Sequence, residues 1–190
     1  MKALAFSYPM TINAVPNPSA VAQSWANTVT LRRLCCTGYP DSIVPVRGFE
    51  LERYLGTWYE IARLDHRFER GLSQVSATYS KNADGTVQVL NRGFDPQAGE
   101  WEEAVGKARF AETPDIGFLE VSFFGPFYGS YVIFELAPDY SHAFISGPDT
   151  GYLWLLARTP TVEEEVYQRF LQLADAAGFD TQAVIRVAQD

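Results

Sequence analysis

From Tyr54 to Arg158 the chain runs in short stretches of alternating residues separated by turn signals, and this pattern constrains the fold more than any other feature. The spacing between turns leaves no room for helices of ordinary length, so the region reads as an antiparallel sheet. Strands are expected over 57–64, 74–80, 86–93, 101–110, 117–124, 130–137, 142–147 and 152–158. Asn82-Ala83-Asp84-Gly85 and Asp95-Pro96-Gln97-Ala98-Gly99 are turn sequences in which Gly85 and Gly99 supply a positive φ without strain. Eight short strands with hairpin-length links specify an all-β sandwich or an up-and-down barrel.

One helix follows, over 161–177. Thr161 with Glu164 three residues on reads as a capping box, Val162, Val166, Phe170, Leu173 and Ala177 form one apolar face, and Gly178 stands where a C-terminal cap belongs. A short run at 183–187 reads as a ninth strand. Strand 152–158 is apolar on both faces, so it needs an outer cover, and this helix is the simplest one.

Residues 1–45 have no sustained period and carry five prolines, which marks a leader or flexible tail ahead of a barrel domain over 46–190. At 190 residues, 47% apolar and 20% charged, the chain suits one domain with a real core. The net charge of -8, with its cations scattered, argues against nucleic acid as a partner. No apolar run approaches the roughly 20 residues of a membrane-spanning helix. Cys35 and Cys36 are adjacent and lie before the patterned region, so they read as part of a tail or as a modification site.

The alternation also sorts inside from outside. In 101–110, Ala104, Gly106, Ala108 and Phe110 share one small, apolar face, opposite Glu103, Val105, Lys107 and Arg109. Elsewhere Ala77 and Tyr79, Val89 and Asn91, Val121 and Phe123, Tyr131, Ile145 and Trp154 fall inside. An eight-stranded barrel can be filled by its side chains or hold one small ligand. The alanines and glycine leave room for a lined cavity unless Phe123, Tyr131 and Trp154 cross to fill it.

Gly56-Thr57-Trp58-Tyr59 resembles the G-x-W signature of the first lipocalin strand, and Arg158 resembles the arginine that lies over that tryptophan at the closed end. TWYEIARLDHRFERGL, SFFGPFYG and YLWLLARTP are similar to the bacterial outer-membrane lipocalins, the branch that also resembles apolipoprotein D. The resemblance covers roughly 45–190 and implies an eight-stranded antiparallel up-and-down barrel with the helix packed outside. It implies binding of a fatty acid or lysophospholipid, a cell-envelope location and lipidation of a cysteine at the end of a leader. Arg32-Arg33-Leu34 is a poor version of the small residues that precede such a cysteine.

The search for chemistry finds little. His66 and His142 are far apart and form no metal-ligand or nucleophilic set, so no metal, cofactor or catalytic residue is expected. His66 reads as a solvated loop residue. Parity puts Glu60 on the face of Trp58 and Ala62, as a structural acceptor near the closed end and the one interior acid. Two readings compete with lipid binding: a barrel enzyme acting on a bound lipid or isoprenoid, and a filled barrel that binds a partner.

The resemblance places the open end at the loop over 65–72 and at the connection after Phe123. Arg67 and Arg70 would meet an anionic headgroup there. Phe124, Phe127 and Tyr128, set among Gly125, Pro126 and Gly129, would form an aromatic lip suited to a membrane surface or a second copy of the chain, or would fold inward.

Overall fold

The alternating runs form one nine-stranded antiparallel sheet in the computed structural model, which describes residues 37–66 and 68–190. Cys35, Cys36 and Arg67 lie outside the described residues, as does the leader to residue 36. The strands are β1 Gly56–Leu64, β2 Ser73–Lys81, β3 Val87–Asp95, β4 Glu100–Phe110, β5 Phe118–Phe124, β6 Phe127–Leu136, β7 His142–Ser146, β8 Leu153–Ala157 and β9 Val184–Arg186. A one-turn helix α1, Leu51–Tyr54, precedes β1, and helix α2, Glu164–Ala176, follows β8. Neighbours in sequence pair in order from β2 to β8, and β1 closes the ring by pairing with both β8 and β2. Closure removes the sheet edges that would otherwise invite pairing with other chains.

β1 pairs with β2 only from Gly56 to Tyr59. Beyond that point β9 takes over, with Ala62, Arg63 and Leu64 opposite Arg186, Ile185 and Val184. Gln189 Nε2 then donates to the carbonyls of Glu60 and Val75, so the C-terminal segment spans the seam.

Two apolar layers result. Inside the barrel are Trp58, Tyr79, Val87, Val89, Ala108, Leu119, Ile133, Ala143, Ile145 and Leu156. Outside, Phe144, Leu153, Leu155 and Ala157 meet Tyr167, Phe170 and Ala174 of α2, with the Phe170 ring edge-on to Phe144 at 5.2 Å. The two-faced apolarity of β8 thus has its cover. Gly178 caps α2 with φ +87°, and Gly85 and Gly99 take φ +82° and +68° in their turns.

Three boundaries differ from expectation. α2 begins at Glu164, with Glu163 as N-cap and no side-chain cap, so the Thr161 capping box does not form. The Thr161 carbonyl instead accepts from the Thr159 hydroxyl, and the Glu164 carboxylate reaches Arg186 of β9 and Gln168. β6 begins at Phe127, which reduces the connection after β5 to Gly125-Pro126, joined by a cis peptide. Residues 37–45, read as the end of a tail, pack on the barrel: Ile43 is buried in the outer layer, and the Tyr39 ring stands edge-on to Phe118 at 5.1 Å.

Phe170 has no exposed surface at the centre of the outer layer. Phe170→Ala is expected to cost about 3–5 kcal/mol, read as a lower urea midpoint, through lost burial and the void it leaves.

Candidate functional site

Because the strands alternate in direction, the links after β2, β4 and β6 share one end of the barrel, and those after β1, β3, β5 and β7 share the other. The first end is plugged. The Arg158 guanidinium lies 4.0 Å over the Trp58 ring and donates to the carbonyls of Thr57 at 3.0 Å and Arg53 at 2.7 Å. Trp58 Nε1 donates to the Tyr54 carbonyl at 2.8 Å, so the buried indole N–H has its acceptor. Gly56 enters β1 at φ +94°, a left-handed conformation that favours glycine, with Arg158 Nη1 at ordinary contact distance from where a Cβ would stand. Tyr54, Phe49 and Tyr140 complete the plug. Tyr140 lies in the Asp139-Tyr140 stretch, which carries no strong pattern of its own.

Eight of the residues expected to face inward gather in or around the interior apolar cluster. Tyr79, Val89 and Ile145 are fully packed, while Ala77, Val121, Phe123, Tyr131 and Trp154 border the same cluster and keep accessible surface. Phe123 lies across Gly106, where a Cβ would come within 2.8 Å of the ring, so only glycine admits it. Asn91 is partly buried and its Oδ1 has no partner. Ala104, nearer the open end, is exposed. Filling is therefore graded, dense at the plug and looser toward the mouth.

Sequence parity misplaces the second half of β1. A bulge between Glu60 and Ala62 puts Glu60 opposite Leu156 but Ala62 opposite Leu155, which turns Ala62 outward and Arg63 inward. Glu60 is 3% exposed and Arg63 1%, joined at 2.6 Å. Arg63 Nη2 also donates to the Glu69 carbonyl at 2.6 Å and the Leu72 carbonyl at 3.5 Å, so it anchors the β1–β2 loop. Glu60 is thus no lone acid at the closed end; it belongs to a polar cluster under the mouth.

His66 is no solvated loop residue either. Its ring is mostly buried among Phe68, Tyr152 and Trp154, with centroids 5.6, 5.5 and 5.0 Å away, and Nε2 lies 3.3 Å from Glu69 Oε2. Trp154 Nε1 donates to the same carboxylate oxygen at 3.2 Å. Burial pushes the Glu60 carboxyl well above the usual range, the Glu69 carboxyl adds to this, and Arg63 opposes it. Burial pushes His66 below its ordinary value.

At the mouth Arg70 is exposed and pairs with Asp65 at 3.2 Å. Phe124 and Phe127 are 57% and 77% exposed and so do not fold inward. Tyr128 leaves the lip: its ring lies on the barrel wall under the Arg109 guanidinium at 4.0 Å. Phe68, from the β1–β2 loop at the same end, is also exposed. A groove of about 400 Å³ on the outside of the sheet, lined by Tyr59, Thr78, Leu90 and Trp101 among others, is separate from these interior residues.

A family model described as "Lipocalin-like domain" matches residues 49–189. The chain is 58% identical over 155 residues to "Outer membrane lipoprotein Blc" of Vibrio cholerae, covering 81% of this chain and 91% of that protein. It is 51% identical over 150 residues to the protein of the same name from Escherichia coli K12, covering 79% and 85%. Insecticyanin from the tobacco hornworm superposes with a TM-score of 0.64 at 20% identity, covering 79% of this chain and 86% of that one.

The polar cluster makes two predictions. Arg63→Met leaves buried carboxyls without their cation and is expected to cost about 3–5 kcal/mol in chemical denaturation. The pH dependence has two opposed parts. An unfolded histidine takes its proton near pH 6.5 and buried His66 only at lower pH, so falling pH favours the unfolded chain. Glu60 acts in reverse: the unfolded carboxyl loses its proton first as pH rises above about 4.3, and stability falls with rising pH. Melting temperatures from pH 5 to 8 should therefore show His66→Gln flattening the acid-side decline and Glu60→Gln flattening the opposite one.

Proposed function

The chain belongs to the lipocalin family, and from that premise we propose that its barrel holds one single-chain lipid, a fatty acid or lysophospholipid, with the acyl chain inside and the headgroup at the mouth. Lipocalins bind small hydrophobic ligands, and the chain is a binding protein rather than an enzyme. The graded filling of the interior carries the reading. Ala77, Asn91, Ala104, Val121, Phe123, Tyr131 and Trp154 keep accessible surface within a closed sheet, and an acyl chain is the shape that would cover it. Each buried methylene contributes about 0.8 kcal/mol before ordering costs.

Arg67 and Arg70 are the proposed headgroup contacts, with Asp65 as the group that a headgroup phosphate or carboxylate would displace from Arg70. The relatives named as outer membrane lipoproteins support a place in the cell envelope. Phe124 and Phe127, joined by Phe68, form the lip that would rest on a membrane surface while lipid passes.

Native mass spectrometry of the purified protein, with extraction of co-purified lipid, tests the cavity. A bound single-chain lipid, or uptake of a fluorescent fatty acid, is expected; neither would assign the barrel to a filled core. For the lip, Phe124→Ser with Phe127→Ser should lower partitioning to anionic vesicles about tenfold. Unchanged partitioning with weakened self-association would instead give this face to a second copy of the chain.

A further inference from the structure

Three phenols meet on the barrel floor. The Tyr131 hydroxyl lies 2.7 Å from that of Tyr54 and 2.9 Å from that of Tyr79. Tyr54 arrives from α1, with its ring 4.6 Å from Trp58, so the group sits directly on the plug. Tyr54 and Tyr79 are buried, whereas Tyr131 keeps accessible surface. Its neighbour Val132 faces the outer layer, so the exposed part of Tyr131 faces the barrel interior. Burial raises all three phenols above their ordinary value, which keeps their protons in place.

The hydrogen-bond count does not close. Three hydroxyls carry three protons, and two contacts use two of them. If Tyr54 and Tyr79 both donate to Tyr131, the Tyr131 proton is left over; if the chain runs in one direction, the proton at its far end is. Rotation of the hydroxyls moves the spare donor without breaking either contact. A buried donor without an acceptor costs about 1–3 kcal/mol. Asn91, which is opposite Ala77 on the next strand and one inward position nearer the mouth than Val89, adds a buried Oδ1 that has no donor. A plain hydrocarbon leaves both needs unmet.

We propose that the Tyr54–Tyr131–Tyr79 chain, with Asn91 above it, forms a second polar station on the cavity floor that takes an oxygen on the buried part of the ligand. The barrel would then select lipids oxygenated along or at the end of the chain, as hydroxy or oxo groups, over unsubstituted chains of equal length. This rests on the lipid-binding reading and adds a specificity to it. A ligand hydroxyl accepts the spare phenol proton and can give its own to Asn91 Oδ1; a ketone uses the phenol alone.

Displacement of a fluorescent fatty acid tests the station, with octadecanoic acid compared with its 10-hydroxy, 10-oxo and 18-hydroxy forms. After correction for water–alkane partitioning, at least one oxygenated chain should bind about five- to tenfold more tightly than the plain one. Tyr54→Phe should keep the preference, because the remaining pair still has two protons and one contact. Tyr79→Phe with Tyr131→Phe, which leaves only the buried Tyr54 hydroxyl, should bring the ratio of oxygenated to plain affinity close to one, whatever its effect on octadecanoic acid itself. If the double variant fails to melt cooperatively, the infrared band of a ¹³C-labelled 10-oxo chain on the wild-type protein decides. A shift to lower frequency than in alkane supports the station, and an alkane-like band overturns it. Equal affinity for all four chains, or a preference that survives the double variant, also overturns it. No binding of any chain would instead remove the lipid-binding reading itself.

Discussion

The contact between Arg158 and Trp58 ties the two ends of the barrel sequence together. Trp58 stands near the start of the first strand and Arg158 just after the eighth, so their stacking is the side-chain counterpart of sheet closure. A guanidinium is suited to this place because it keeps its charge, lies flat on the indole and has donors to spare for the Thr57 and Arg53 carbonyls. With that end sealed, apolar side chains can fill the adjacent half of the interior, and the loops at the other end are left to control entry.

The interior then divides by polarity. Phenol hydroxyls sit on the plug, an apolar wall follows, and the Glu60, Arg63, His66 and Glu69 group lies beneath the first loop. The last group binds the loop by its backbone as well as its side chains, since Arg63 reaches two of its carbonyls. Holding these charges away from water is costly, and mutual pairing offsets the cost only while all partners are present. The entrance is therefore shaped by a buried network, while Arg70, an exposed cation of the same loop, is already engaged with Asp65.

Much of this was legible in the chain. Period-two alternation and turn glycines gave the strands, and the resemblance at Trp58 and Arg158 gave closure. What escaped has local causes. Parity assumes an unbroken pleat, so the bulge in β1 hid Arg63 and misread Ala62. The capping box at Thr161 was a sound local pattern, but Glu164 found a distant partner in Arg186. His66 looked exposed because its cover, Tyr152 and Trp154, comes from a hairpin far along the sequence. Tyr54, Tyr79 and Tyr131 could not be joined without knowing the tilt and register of three separate elements.

The bulge in β1 also separates two kinds of sequence change. A substitution at Ile61 alters one outward-facing side chain, in contact with the outer layer. Removing that residue would set Glu60 and Ala62 side by side opposite the adjacent Leu156 and Leu155, so the pleat becomes regular while Arg63 still faces inward and Leu64 outward. Between Glu60 and Arg63 the strand can therefore lose one residue without turning Arg63 away from Glu60, whereas a loss within the regularly paired stretch Gly56–Tyr59 would reverse the side chains on one side of it.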